Sequence, residues 1–193
     1  HKNELIDAVF HSSSGGRTEN SGQVWKYQLP YLKSVIDYDQ NGEKYRWSNK
    51  FSSGELDKIF PELGGVNSIQ IMNKSNTDRV LKIKLYGLNG NKNISGKIFR
   101  EKLQLLSTKF EVYLKYKQSN FDNKLYIDNK VFNDMAPQPL PEIPKDYFLL
   151  VRGYGAGHGV GMSQWGAKAM AERGSGFRQI LKHYYTGVQI KSY

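Results

Sequence analysis

The sequence contains one unusual segment near its C-terminal end, Gly153-Tyr154-Gly155-Ala156-Gly157-His158-Gly159-Val160-Gly161-Met162-Ser163-Gln164-Trp165-Gly166-Ala167. Ordering so many glycines costs conformational entropy, so we expect them to permit something that side chains would block. They leave a bare backbone around His158, where a ligand or a neighbouring strand could approach closely. The pattern predicts a strand, a glycine turn and a helix opened by Ser163 and Gln164, whose free N–H groups suit an anionic or carbonyl oxygen.

A nucleotide-binding loop is the first alternative for this segment. The dinucleotide pattern Gly-x-Gly-x-x-Gly needs a βαβ unit, and a phosphate loop needs Gly-Lys-Ser/Thr. Neither pattern is filled, so nucleotide binding is rejected. His158 is then either a functional group or a core histidine bonded to backbone in a tight turn, and the residue types favour neither.

Hydrophobic patterns around the glycine segment predict an α+β fold, with a mixed or antiparallel sheet and two C-terminal helices packed on it. An apolar strand over Tyr147–Val151 precedes the glycines. The last helix, which we expect Gly187 to end, carries an apolar stripe at helical spacing: Phe177, Ile180, Leu181 and Tyr184.

The middle of the chain is rich in predicted strands, and we expect residues 66–132 to form a β-rich lobe. Ser53 is expected to cap a short helix over Gly54–Phe60, and Asn89-Gly90 to form a hairpin turn. Four prolines between residues 136 and 144 predict an extended connector. The strands predicted before the glycine segment are Leu5–His11, Trp47–Phe51, Val66–Met72, Val80–Tyr86, Asn93–Phe99, Thr108–Tyr116 and Lys124–Phe132.

The composition narrows the classes of function. The 193 residues include 28 Lys and Arg against 18 Asp and Glu, a net charge of +10, and no cysteine. This excludes a disulfide scaffold, a thiol nucleophile and a cysteine zinc site, and it favours an anionic partner. A nucleic-acid module would cluster its basic residues, whereas these are scattered, so we expect no nucleic acid.

His11 is the second candidate for chemistry, because it ends a predicted strand and runs into Ser12-Ser13-Ser14-Gly15-Gly16. A nucleophile–base pair is one interpretation, but such a pair is recognised by geometry. A polar turn whose serines satisfy backbone groups is the better one. His11 and His158 alone make no strong metal-ligand set, so no metal or other cofactor is predicted.

The glycine–histidine segment closely resembles the signature of the stage II sporulation protein D and amidase-enhancer family. Other blocks agree with that family in the same order along the chain: His11-Ser12-Ser13-Ser14-Gly15-Gly16-Arg17-Thr18, then Trp25, Leu29-Pro30-Tyr31-Leu32 and Asp37, then Ser95-Gly96, Arg100, Leu103, Leu105, Ser107 and Phe110. The resemblance covers most of the chain.

The resemblance implies peptidoglycan remodelling in sporulation or cell-wall turnover, outside the cytoplasm, in a secreted or membrane-anchored protein. The partners that it implies, besides glycan strands, are a wall amidase or other engulfment proteins. One implied activity is a lytic transglycosylase that cuts glycan strands to 1,6-anhydro products. The family's acidic glutamate precedes the serine turn, and nothing like that segment precedes His11. The chain is thus expected to be a single domain, residues 1–193, without the family's N-terminal part. The alternative is a non-catalytic enhancer that binds glycan strands for a wall amidase.

By the same resemblance, a bound glycan strand is expected to contact His11, Arg100, His158, Ser163 and Gln164, with Tyr154 or Trp165 stacking on sugars. His11 and His158 would support catalysis. Arg100 would bind a carboxylate, although an ion pair with Glu101 is an equal alternative. Glu19 and Glu101 are expected to be surface or ion-pairing residues, and Trp165 fits a core position better. The cysteine zinc site of some relatives is not expected.

Overall fold

The computed structural model describes residues 1–2, 4–116 and 147–191. The predicted strand over Lys124–Phe132 and the proline connector at 136–144 lie outside the described residues, as does the end of the predicted lobe. The strands are β1 (Phe10–His11), β2 (Arg46–Ser52), β3 (Ser68–Lys74), β4 (Val80–Gly87), β5 (Gly90–Ser95), β6 (Phe110–Tyr116), β7 (Tyr147–Tyr154) and β8 (Met162–Ser163). The helices are α1 (Ser21–Val24), α2 (Ser53–Ile59), α3 (Gly96–Lys102), α4 (Gln164–Glu172) and α5 (Phe177–Tyr184), and Pro61–Leu63 form a 3-10 turn.

The strands form three sheets, which confirms the predicted α+β class. Two sheets are antiparallel and three-stranded, in the orders β2-β7-β6 and β3-β4-β5, while β1 and β8 form a short parallel pair. The β4–β5 turn is centred on Leu88 and Asn89, with Gly90 already in β5. The C-terminal helices α4 and α5 both pack against β8.

Both three-stranded sheets contribute to one large hydrophobic core. It joins the buried faces of β4, β6 and β7 to α2 and α3, and its fully buried members include Leu56, Phe60, Ile83, Leu85, Phe99, Leu149 and Val151. A smaller core under the C-terminal helices contains Leu32, Val160, Ile180, Tyr184 and Tyr185. In the described ranges, no helix is long and apolar enough to cross a membrane.

Serine caps explain two of the places where the local predictions differ from the structure. Ser52, not Ser53, caps α2: its hydroxyl accepts from the Glu55 N–H, and the Glu55 carboxylate accepts from the Ser52 N–H. The predicted strand Asn93–Phe99 is wrong beyond Ser95, because the Ser95 hydroxyl accepts from the Ile98 N–H and starts α3. Phe177 is 59% exposed, so the buried stripe of α5 begins only with Ile180. Elsewhere, the strand predicted over Leu5–His11 is formed only at Phe10–His11, and the last helix ends at Tyr184 instead of at Gly187.

Candidate functional site

A short parallel pairing brings the serine turn and the glycine segment together. β1 pairs with β8, so that His11 lies opposite Ser163. Gly157 lies directly against His11, since a Cβ at Gly157 would be 2.8 Å from the His11 Cβ. The expected close approach of a neighbouring strand is therefore confirmed. Two isolated bridges extend the pairing, Ser13 with Ala156 and Glu19 with Val160.

The serine turn is held by a buried carboxylate. Asp39 accepts hydrogen bonds from the Ser13 hydroxyl at 2.5 Å and from the N–H groups of Gly15 and Gly16, each at 2.8 Å. The Ser13 hydroxyl is thus a donor to a carboxylate, and nothing in this arrangement activates it as a nucleophile. The segment is a polar turn, as predicted, but Asp39 and not a serine satisfies the Gly15 and Gly16 N–H groups.

A second carboxylate ties the same turn to the last helix. Asp37 accepts from the Ser14 hydroxyl at 2.5 Å and from the Tyr184 hydroxyl at 2.6 Å. Burial and the nearby Asp37 raise the pKa of Tyr184 far above its usual range, so its proton stays in this hydrogen bond. The turn is consequently fixed from two sides.

His11 is buried and neutral. Its Nδ1 lies 3.1 Å from the Val160 carbonyl oxygen, so Nδ1 carries the proton and donates it. Nε2 is buried and has no partner within the described parts of the chain. Burial, reinforced by Arg79 and His158, lowers the pKa of His11 from 6.5 to about 3. The ring therefore offers an acceptor nitrogen, not a charge.

This burial predicts a loss of stability in acid. Because the pKa of His11 is lower in the folded state than in the unfolded state, the unfolded chain binds the proton more readily below about pH 6.5. We expect the free energy of unfolding to fall progressively from pH 6.5 towards pH 3. In urea titrations across that range, His11→Gln is expected to show a shallower pH dependence than the unsubstituted chain, and equal slopes would contradict the assignment.

His158 lies at the surface of the site, against an exposed tryptophan. Its Nδ1 accepts from the Val160 N–H at 3.1 Å. Its ring centroid is 5.2 Å from that of Trp25 and 5.5 Å from that of His11. Burial lowers the pKa of His158, so its ring is neutral near pH 7. Trp25 is 41% exposed and adds an aromatic surface that the sequence did not place in the site.

A cleft of about 350 Å³ opens beside the rings of Trp25 and His158, and we call it the Trp25 cleft. Its charged lining residues are Glu19, Arg79, Lys97 and Arg100. Three cations face one carboxylate, and His158 adds no charge. The cleft therefore favours anionic ligands.

The position of Glu19 differs from the sequence prediction, which expected a surface or ion-pairing residue. Its side chain is 1% exposed and lines the cleft. One carboxylate oxygen accepts from the hydroxyls of Ser75 and Thr77, the latter at 2.5 Å, and the other accepts from the Asn20 N–H at 2.8 Å. Glu19 thus anchors the β3–β4 turn to the site. The one feature of the sequence that could have indicated a site residue here is its position directly after the serine motif.

Arg79 is the site residue that sequence reasoning missed altogether. It is 1% exposed and donates from Nη2 to the Ser14 carbonyl oxygen at 2.9 Å. Gly159 lets it approach, since a Cβ there would be 2.2 Å from Nη2. Burial lowers the pKa of Arg79 to about 10, against the attraction of Glu19, so the guanidinium stays charged at neutral pH.

Arg100 lies in the cleft, as expected. Its Nε donates to the Leu105 carbonyl oxygen at 3.1 Å, and burial lowers its pKa, opposed by Glu101. Glu101 is exposed, and its carboxylate lies 3.9 Å from the Lys97 ammonium. The carboxylate-binding role of Arg100 stays a prediction.

The other predicted binding residues lie outside the lining of the cleft. Ser163 is fully buried and caps α4, accepting from the Gly166 N–H at 3.2 Å, and Gln164 is the exposed first residue of that helix. Tyr154 packs edge-on against Tyr45 at the end of the β2-β7-β6 sheet. The helix opening is as predicted, while the binding roles of these residues stay predictions. Trp165 is half-buried.

Residues 1–2, 4–116 and 147–191 hold no group of three His, Cys, Asp or Glu side chains that could bind a metal. The prediction that the protein uses no cofactor stays a prediction.

Known proteins are similar to nearly the whole chain. Stage II sporulation protein D of Bacillus amyloliquefaciens is 34% identical over 193 residues, and that of Bacillus subtilis (strain 168) is 33% identical over 193 residues; each alignment covers 98% of this chain. The chain is related to the stage II sporulation protein D family. The resemblance inferred from the glycine segment is thereby confirmed.

A further relative carries a functional name. The amidase enhancer of Bacillus subtilis (strain 168) is 27% identical over 217 residues, again covering 98% of this chain. The chain spans 46% of each stage II sporulation protein D and 30% of the amidase enhancer. No protein-family model matches it. The relatives' names associate the family with sporulation and with enhancement of an amidase, and they match the enhancer interpretation better than the transglycosylase one.

Proposed function

We propose that this chain binds peptidoglycan and enhances a cell-wall amidase, of the N-acetylmuramoyl-L-alanine type. The Trp25 cleft carries the proposal, because it combines an exposed aromatic face with a cationic lining beside the conspicuous glycine segment. The similarity to an amidase enhancer supports it. The proposed place of action is the cell-wall space, with the intact protein secreted or membrane-anchored.

The chemistry of the cleft suits a glycan strand. Trp25 and His158 form adjacent rings, one of them well exposed, on which the apolar face of a sugar can pack. The wall polymer carries stem-peptide carboxylates and teichoic phosphates, which complement the cationic lining and the net charge of +10. Sugar stacking and charge attraction together favour a wall polymer over a neutral ligand.

Lytic transglycosylase activity is the other function implied by the resemblance. It needs a carboxylic acid that donates a proton to the glycosidic oxygen. Glu19, the carboxylate of the cleft, accepts hydrogen bonds through both oxygens, so it is not placed as a proton donor. By the resemblance, the family's acid would precede His11. We propose the enhancer because the relatives' names match it better than they match a transglycosylase.

The first experiment tests binding and enhancement with one variant. Trp25→Ala removes the exposed ring beside His158, and we expect roughly 10-fold weaker binding to purified wall sacculi in sedimentation assays. Stimulation of amidase turnover on the same sacculi is expected to fall with it. Tyr113→Ala is a matched control, since Tyr113 is also an exposed aromatic, 38% against 41%, but lies on β6 away from the cleft.

Three results would decide against the proposal or part of it. Failure of the unsubstituted protein to bind sacculi would refute peptidoglycan binding, and unchanged amidase turnover would refute enhancement. Release of 1,6-anhydro-muramic ends from glycan strands by the protein alone, seen by mass spectrometry, would establish the transglycosylase instead.

A further inference from the structure

One buried cation of the Trp25 cleft, Arg79, has hydrogen-bond donors that no described residue accepts. Arg79 is 1% exposed, and among the described residues its guanidinium forms a single hydrogen bond, from Nη2 to the Ser14 carbonyl oxygen. Nε and Nη1 are both buried and find no hydrogen-bond partner anywhere in the part of the chain that the structure describes. Buried polar groups are nearly always paired, and a buried charge without partners is costly. The residue therefore calls for an acceptor supplied from outside the described chain.

The turn that carries Arg79 is held in place from several sides. The Ser75 hydroxyl accepts from the Arg79 N–H at 3.2 Å, and the Ser75 N–H donates to the Arg79 carbonyl oxygen at 2.8 Å. Glu19 in turn accepts from the hydroxyls of Ser75 and Thr77. The bare backbone at Gly159 closes against the guanidinium itself. Arg79 is thus pre-organised, which lowers the entropy lost when a ligand binds.

Glu19 does not occupy the spare donors. Its oxygens accept from Asn20, Ser75 and Thr77, and neither Nε nor Nη1 of Arg79 bonds to it, so Glu19 acts on Arg79 by charge attraction, which helps to keep the guanidinium charged. Lys97 and Arg100 line the same cleft and add two more positive charges. An acceptor that is itself anionic fits this field best, because charge-assisted hydrogen bonds to guanidinium are the strong ones.

We propose that Arg79 is a specificity-determining residue of the Trp25 cleft, binding a carboxylate or phosphate oxygen on a glycan whose sugar ring packs on Trp25. The inference rests on the proposed peptidoglycan binding and deepens it by naming the group that is recognised. Glu19 acts as a positioning residue, through the turn that carries Arg79. The cleft then distinguishes acidic from neutral sugars.

The test compares three sugars of similar size by calorimetric titration: N-acetylmuramic acid, N-acetylglucosamine 6-phosphate and neutral N-acetylglucosamine. We expect an acidic sugar to bind about 10- to 100-fold more tightly than the neutral one, the range expected for hydrogen bonds to a charged group. The two acidic ligands separate a carboxylate from a phosphate. Arg79→Gln is expected to abolish the preference while binding of the neutral sugar is kept, and Arg79→Lys to restore part of it.

A measurement on the unsubstituted protein covers the case in which Arg79→Gln does not fold. The ¹⁵N resonance of the Arg79 Nε–H is expected to shift saturably on titration with the acidic sugar and to stay unchanged with the neutral one. Equal affinities for all three sugars, or an unchanged Nε–H resonance, would overturn the assignment of Arg79 and leave peptidoglycan binding standing. Absence of binding to sacculi and to every sugar would instead refute the proposed function.

Discussion

Asp39→Ala is expected to lower the free energy of unfolding by about 3–5 kcal/mol, because three donors lose their acceptor at a cost of about 1–3 kcal/mol for each buried one. The Asp39 carboxylate is 1% exposed and accepts three hydrogen bonds, from the Ser13 hydroxyl and from the Gly15 and Gly16 N–H groups. Alanine leaves these three donors, two buried and one part-buried, without this acceptor. Urea denaturation measures the change.

Asp57→Ala provides the matched control for that experiment. Asp57 lies exposed on α2, and we expect its removal to change stability by no more than about 0.5 kcal/mol. Asp39→Asn keeps one acceptor oxygen and is expected to fall between the two alanine variants. A loss below about 1 kcal/mol for Asp39→Ala would show that the serine turn does not depend on this carboxylate.

Gly161→Ala is the second change with a large expected effect. Gly161 has a φ of +73°, and a Cβ there would lie 2.1 Å from the Val9 carbonyl oxygen. A left-handed backbone alone costs an L-residue about 1–2 kcal/mol, and the clash with rigid backbone adds about 1–3 kcal/mol. We therefore expect a loss of about 2–5 kcal/mol in urea denaturation, together with loss of sugar binding as the glycine segment moves away from β1.

Gly174→Ala separates the two contributions. Gly174 has a similar φ of +89°, but a Cβ there meets no atom within 4 Å. It is expected to cost only the backbone strain, about 1–2 kcal/mol, and to leave sugar binding intact. Equal losses for the two variants would mean that the contact between Gly161 and Val9 carries no stability.

Local patterns predicted the secondary structure well where one face of a strand is buried. Alternation in β4 placed Ile83 and Leu85 on one side, and both are fully buried there. The prediction failed at Ser95, because serine suits both the end of a strand and the N-cap of a helix. Only the hydrogen bond from the Ile98 N–H to the Ser95 hydroxyl shows that a helix begins there. Local sequence patterns thus failed to predict where a strand ends and a serine-capped helix begins.

The site was only half predictable for a related reason. His11 and His158 stand out because glycine and serine motifs surround them. Arg79 stands in an ordinary hairpin turn, and it reaches the site only because Glu19 anchors that turn through Ser75 and Thr77. No local pattern encodes such a contact between distant segments, which depends on how the β3–β4 turn packs against the residues that follow the serine turn. Arg79, the cation to which we assign ligand recognition, therefore could not be predicted from the sequence.

The pairing of β1 with β8 has a consequence for how the protein matures. The hydrogen bond from His11 to Val160 joins residues 149 positions apart. Closing so long a loop costs conformational entropy, and pairings of high sequence separation slow folding. During synthesis, β1 can pair with β8 only after the glycine segment has been synthesised. The hairpins can form from local contacts alone, whereas the ligand-binding site is complete only after β1 has paired with β8.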